Sequence, residues 1–129
     1  MTPLILVIDD EPDIEPLFRQ QFRRELRAGL FTMAFAPDAE RALLLVAGTM
    51  GVSLILVLSD INMPGMSGLD LLPRLKAARP DIPVIMISAY GDLETERLAM
   101  AGGAHALLMK PIDFTSLREA IRSRLEAAR

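Results

Sequence analysis

The chain has 129 residues, no cysteine and a net charge of −3 from 14 basic and 17 acidic side chains. That length suits one domain spanning residues 1–129. The missing cysteines exclude disulfides and thiolate metal sites, and the near-balanced charge carries no electrostatic footprint for nucleic acid or an anionic membrane.

Apolar residues make up 51% of the chain, enough for a sizeable core. The N-terminus, Met1-Thr2-Pro3, lacks the basic start of a signal peptide, and the apolar runs are too short to span a bilayer. The expectation is a cytoplasmic chain with no direct nucleic-acid or membrane partner.

Leu4–Ile8 is apolar and rich in β-branched residues, and it stops at Asp9 and Asp10, so it predicts a strand. Pro12 suits the first position of a helix. Ile14, Leu17, Phe18, Phe22 and Leu26 recur at helical spacing, and Gly29 closes that helix. Phe31–Ala36 predicts a second strand and Asp38–Ala47 a short helix ending near Gly48. Leu54–Leu58 is the most apolar run, as expected of a strand covered on both faces.

Met63-Pro64-Gly65 marks a loop. Leu69, Leu72 and Leu75 share a helical face, with Pro73 among them, where proline deletes a hydrogen bond and bends a helix. Val84–Ile87 predicts the fourth strand, Leu93–Ala101 the fourth helix and Ala106–Met109 the fifth strand. Phe114, Leu117, Ile121 and Leu125 form the apolar face of a fifth helix, with Asp113 as its N-cap.

Strands alternating with helices imply right-handed crossovers and a parallel sheet. A (β/α)8 barrel needs about 250 residues, which leaves the open, doubly wound α/β sheet with helices on both faces. In the flavodoxin-like strand order 2-1-3-4-5, ligands bind at the carboxyl ends of the strands, where strands 1 and 3 adjoin.

Chemistry-bearing residues fall at those ends: Asp9 and Asp10 after strand 1, Asp60 after strand 3, Ser88 after strand 4, and Lys110 after strand 5. Two unit charges about 5 Å apart repel by roughly 3 kcal/mol at an effective dielectric near 20. One lysine does not neutralise three acids. An oxygen-only ligand set suits Mg²⁺, which also bridges phosphate oxygens. A carboxylate held in line is a competent nucleophile. Each residue alone has a bland reading: Asp9-Asp10 as a helix cap, Ser88 as a turn serine, Lys110 as a solvated lysine. The lone His105 lacks a second His or Cys to make a metal site.

The segments Leu6-Val7-Ile8-Asp9-Asp10-Glu11-Pro12, Asp60-Ile61-Asn62-Met63-Pro64-Gly65-Met66-Ser67-Gly68, Ile87-Ser88-Ala89 and Lys110-Pro111 resemble, in order and spacing, the receiver domain of bacterial two-component response regulators (CheY-like). The resemblance implies that Asp60 is the phosphoacceptor, that Asp10 binds Mg²⁺ directly and Asp9 mainly through water, and that the Asn62 backbone carbonyl is a further metal ligand. It implies Ser88 as the switch hydroxyl and Lys110 as the phosphate-binding lysine. The donor would be a phosphohistidine on a sensor histidine kinase or histidine phosphotransfer domain. Such a chain is a signalling domain rather than a turnover enzyme. A downstream output domain or protein would be reached through the face made by the fourth helix, fifth strand and fifth helix, which also suits a homodimer.

The chain departs from the family pattern at Leu107, where a switch aromatic is usual, and at Ile112, where Phe is common. The stretch between Asp10 and Asp60 is a few residues long, around Ala47–Ser53. Tyr90 is placed to cover the site.

Three other functions compete. Asp60-Ile61-Asn62 faintly resembles the nucleophile motif of haloacid-dehalogenase-like phosphatases, but the second acid is missing. A flavodoxin-type carrier needs a Ser, Thr and Gly-rich loop after strand 1, and Asp9-Asp10-Glu11-Pro12-Asp13 would repel a phosphate. A phosphorylation-independent module is opposed by the intact acids, Ser88 and Lys110.

Overall fold

The computed structural model describes residues 2–48 and 53–128. The elements, in chain order, are β1 (Leu4–Ile8), α1 (Ile14–Gln21), α2 (Arg23–Arg27), β2 (Thr32–Ala36), α3 (Ala39–Ala47), β3 (Leu54–Asp60), α4 (Gly68–Ala78), β4 (Val84–Ser88), α5 (Leu93–Ala101), β5 (Ala106–Met109) and α6 (Phe114–Ala127). The strands form one parallel sheet, as the alternation predicts, in the expected flavodoxin-like order β2-β1-β3-β4-β5.

Side chains alternate across each strand, so the sheet has two buried faces. On one, Leu6, Val57 and Met86 pack under α3, α4 and α5, through Ala42, Leu72 and Ala99 among others. On the other, Val7, Leu58 and Ile85 pack under α1 and α6, through Phe18 and Leu117. Every residue of β3 is buried, which is why its run is the most apolar in the chain. At roughly 25 cal/mol per Å² of apolar surface removed from water, these two layers dominate the stability of the fold.

The predicted first helix is two. It breaks at Phe22, whose φ of −108° and ψ of 22° leave the helical region. Phe22 stays fully buried, edge-on to Phe31 with ring centroids 6.0 Å apart, while α2 beyond it buries no residue fully. The aromatic therefore keeps its place in the core and the backbone turns around it. Gly29 closes α2 with a φ of 71°, a left-handed conformation that glycine adopts without a Cβ penalty.

Pro12 does not open α1. Ile14 is its first residue, and Pro12 lies in the turn ahead of it. Pro16 falls in the first turn, where its missing N–H has no intrahelical acceptor to lose. Helix α4 continues through Pro73 to Ala78. Asp113 caps α6 as predicted, accepting from the N–H groups of Thr115 and Ser116. The extra length expected around Ala47–Ser53 falls largely on residues 49–52, outside the described residues.

Candidate functional site

Asp9 follows the last residue of β1, and Asp60 is the last residue of β3, the strand beside it. Asp9, Asp10 and Asp60 each bring a carboxylate oxygen within 4.8 Å of the others. Asp9 and Asp60 are buried and Asp10 is exposed, so the cluster has a closed floor and an open side. The Asp9 carboxylate accepts the Glu11 N–H at 2.9 Å, which holds the loop after β1 in a tight turn. Helix α1 has no side-chain cap, so the reading of Asp9-Asp10 as a mere helix cap fails.

Lys110 reaches in from the end of β5. Its Nζ lies 3.4 Å from Asp60 Oδ2, 3.6 Å from Asp9 Oδ2 and 3.0 Å from Glu11 Oε1. Its backbone N–H donates to the Ser88 carbonyl at 2.8 Å, and the Lys110–Pro111 peptide is cis. The lysine is therefore part of the cluster and not a solvated side chain.

The charge balance is poor. Burial pushes the Asp60 carboxyl above its ordinary pKa and the Asp9 charge adds to this, against Lys110 and the Asn62 N–H, which favour the ionised form. Burial likewise raises Asp9, against the Glu11 N–H and Lys110. Burial works against the Lys110 ammonium, but the Glu11 hydrogen bond and the charges of Asp9 and Asp60 outweigh it and raise its pKa. Asp60 Oδ1 is buried and has no hydrogen-bond partner. A buried, bare carboxylate oxygen beside two other acids is the arrangement a hard dication satisfies, so the donor set fits a metal ion such as Mg²⁺.

Ser88 ends β4 with no exposed surface. Its hydroxyl donates to the Tyr90 carbonyl at 2.8 Å and accepts the Tyr90 N–H at 3.0 Å, so it is engaged with its own loop and not with the acids. Tyr90 is exposed, at 67%. Leu107 is half-buried under the face covered by α3, α4 and α5, beside Met86 in the sheet register. Asn62 is exposed on the loop after Asp60. His105 is exposed at the start of β5, where its N–H pairs with the Val84 carbonyl.

Two residues that shape the site, Glu11 and Gly68, stood in the motif segments but were given no role from the sequence. Glu11 forms the shortest of the three Lys110 ion pairs. Its only signal was its place as the third acid in a row. Gly68 opens α4 and donates its N–H to the Ile61 carbonyl at 2.8 Å, and a Cβ there would overlap the backbone of Asp60 and Ile61. Nothing in the local sequence announces that contact.

The sequence model of the family described as "Response regulator receiver domain" matches residues 5–122. The chain is 36% identical over 126 residues to the C4-dicarboxylate transport transcriptional regulatory protein DctD of Pseudomonas aeruginosa, covering 97% of this chain and 26% of that protein. It is 39% identical over 112 residues to the DNA-binding transcriptional regulator NtrC of Escherichia coli, covering 86% of this chain and 22% of that one. It thus spans about a quarter of the length of these curated relatives. Among solved structures, the CheY-like response regulator receiver domain protein of Methanospirillum hungatei superposes with a TM-score of 0.85 at 28% identity, covering 99% of this chain and 97% of the other. The signal receiver domain of an HD domain-containing protein from Pseudomonas fluorescens gives 0.86 at 30% identity, covering 99% and 98%.

Proposed function

The chain belongs to the response regulator receiver domain family, and we propose that within this two-component signal receiver Asp60 is the residue that accepts the phosphoryl group. The observation that carries this is Asp60 Oδ1, buried at the strand end with no partner while Oδ2 faces Lys110. With Oδ1 held by a dication, Oδ2, which faces Lys110, is the oxygen that attacks. The new bond joins this oxygen to phosphorus as the bond from phosphorus to the donor imidazole nitrogen breaks, and the imidazole leaves. The donor is the phosphohistidine of a sensor histidine kinase or a histidine phosphotransfer domain.

Asp10 and Asp60, the Asn62 backbone carbonyl and, through water, Asp9 would hold Mg²⁺. The ion would neutralise the carboxylates and the incoming phosphoryl oxygens. Lys110 pairs with a second phosphoryl oxygen and the Ser88 hydroxyl with a third. For this, Ser88 gives up its bonds to Tyr90, and the loop after β4 moves with it. The chain then shifts between two populations, and hydrolysis of the acyl phosphate resets it.

The face that responds is made by α5, β5 and α6, which are the fourth helix, fifth strand and fifth helix of the sequence reading. Leu93, Leu98, Met100 and Met109 are exposed there. It would engage an output domain or protein, or a second copy of the chain. No described helix is long and apolar enough to cross a membrane. We place the chain in the cytoplasm, where such kinases present their phosphohistidine, and read residues 1–129 as a single receiver unit without turnover of a small substrate.

The test is incubation with acetyl phosphate and Mg²⁺ followed by intact mass. One added phosphoryl group, absent in Asp60→Ala and absent without Mg²⁺, is expected. No added mass under any donor would leave a phosphorylation-independent module.

A further inference from the structure

The ammonium of Lys110 lies closer to Glu11, at 3.0 Å, than to Asp60, at 3.4 Å, or Asp9, at 3.6 Å. An ammonium has three donors, and here three carboxylates lie within ion-pair distance of one cation. The backbone of Lys110 is pinned to Ser88, so the side chain swings from a fixed root. The Glu11 backbone is pinned in turn, through its N–H to the Asp9 carboxylate. The Glu11 side chain is 59% exposed and that of Lys110 22%, so Glu11 pulls from the solvent side while Asp9 and Asp60 pull from the buried side.

We propose that Glu11 is a positioning residue that competes with a phosphoryl group on Asp60 for the Lys110 ammonium. The inference rests on the assignment of Asp60 as acceptor. An aspartyl phosphate carries between one and two negative charges, in place of the single carboxylate charge, on three strong acceptor oxygens. To serve one of them, the ammonium must weaken its hold on Glu11. The cost of that exchange favours the unphosphorylated form. Glu11 thereby sets the balance between the two states without touching the reacting atoms, and no covalent bond is made or broken in the exchange.

The experiment is a four-way comparison of the wild-type chain, Glu11→Gln, Lys110→Met and the double variant. Each is titrated with beryllofluoride in saturating Mg²⁺, with amide NMR shifts as the readout. Glu11→Gln is expected to bind beryllofluoride about threefold more tightly, as a partly exposed ion pair of this kind allows. In the Lys110→Met background the same substitution is expected to change nothing. Unchanged or weaker binding by Glu11→Gln would overturn the proposal. So would an equal gain with Lys110→Met, which would mean that Glu11 acts by plain charge repulsion. Dispersed amide spectra confirm that the variants fold, and Lys110→Gln replaces Lys110→Met if the latter does not. A wild-type chain that takes no beryllofluoride overturns the acceptor assignment as well. A wild-type chain that binds, with Glu11→Gln indistinguishable from it, overturns this inference alone.

Discussion

Gly68 lies so close to Asp60 that a Cβ on the glycine would overlap the carbonyl oxygen of the aspartate. The first residue of α4 thus sits directly on the end of β3, and the loop between them folds back to permit it.

Gly68→Ala therefore costs stability. The Cβ would also come within 2.8 Å of the Ile61 Cα, and backbone cannot swing aside as the Met86 side chain can. We expect a net loss of about 1–3 kcal/mol, despite the roughly 1 kcal/mol that alanine gains over glycine inside a helix. Urea midpoints measure the loss. Mg²⁺-dependent phosphorylation should fall by more than the folded fraction does, because the shift moves Asp60 itself.

Removing the Asp60 charge should stabilise the metal-free chain. Burial and the Asp9 charge raise the Asp60 pKa. A carboxylate raised in this way supports the fold fully below its unfolded pKa, near 3.9, and loses that contribution as pH rises through the folded value. In EDTA at pH 7, Asp60→Asn is expected to melt above wild type by about 4 °C, or on the order of 1 kcal/mol. The gap should close towards pH 4. A variant that melts below wild type at pH 7 would contradict the charge balance described for the site.

Mg²⁺ should reverse that order. Binding to the folded chain alone adds about 2.7 kcal/mol at a hundredfold excess over Kd. The thermal midpoint of wild type is expected to climb with Mg²⁺, and that of Asp10→Asn to climb far less. Parallel climbs in both would remove Asp10 from the ligand set.

Ser88→Ala should uncouple labelling from response. The hydroxyl makes two bonds to the Tyr90 backbone, and its loss leaves that N–H unpaired, costing about 1 kcal/mol. Intact mass is still expected to show phosphorylation with acetyl phosphate. The amide shifts of α5, β5 and α6 that accompany it in wild type should be largely absent. Full shifts in the variant would show that the hydroxyl does not carry the change.

Arg118 should prove a clasp between the broken first helix and the last one. Its Nε donates to Glu25 at 2.6 Å, its Nη2 to the Gln21 carbonyl, and its guanidinium lies 4.9 Å from the Phe22 ring centroid. Arg118→Ala is expected to cost about 1–2 kcal/mol, with Arg118→Lys recovering less than half because it lacks the planar fork. Burial alone would raise the Glu25 pKa, but Arg118 holds it below the ordinary value. A lowered pKa supports the fold above the unfolded value, near 4.3, and that support fades as pH falls through the folded one. The Arg118→Ala penalty should therefore shrink in acid, as urea midpoints at pH 7 and pH 3.5 would show.

The strand and helix pattern was legible because buried parallel strands leave apolar runs and amphipathic helices leave a periodic stripe. Strand ends were legible to within two residues: β1, β2 and β5 end where their apolar runs do, whereas β3 runs on through Ser59 and Asp60 and β4 through Ser88. The break at Phe22 was not. Its side chain has the right spacing for one continuous helix, and only the fit of the ring against Phe31 and Phe114 shows that the backbone turns there.

Within the site, the sequence by itself determined which residues stand at the strand ends: Asp9, Asp10, Asp60, Ser88 and Lys110. Strand order then brings the acids and the lysine together; the alternation of strands and helices implies the parallel sheet, and the order β2-β1-β3-β4-β5 is that of the flavodoxin-like class. Tertiary structure alone decided which of them touch. Lys110 meets Glu11 across 99 positions of chain, Ser88 turns to Tyr90 rather than the acids, and Gly68 presses on Asp60. The reason is that a pattern of residue types records burial and local conformation, whereas a contact between side chains depends on distances that only the packed sheet and its helices set.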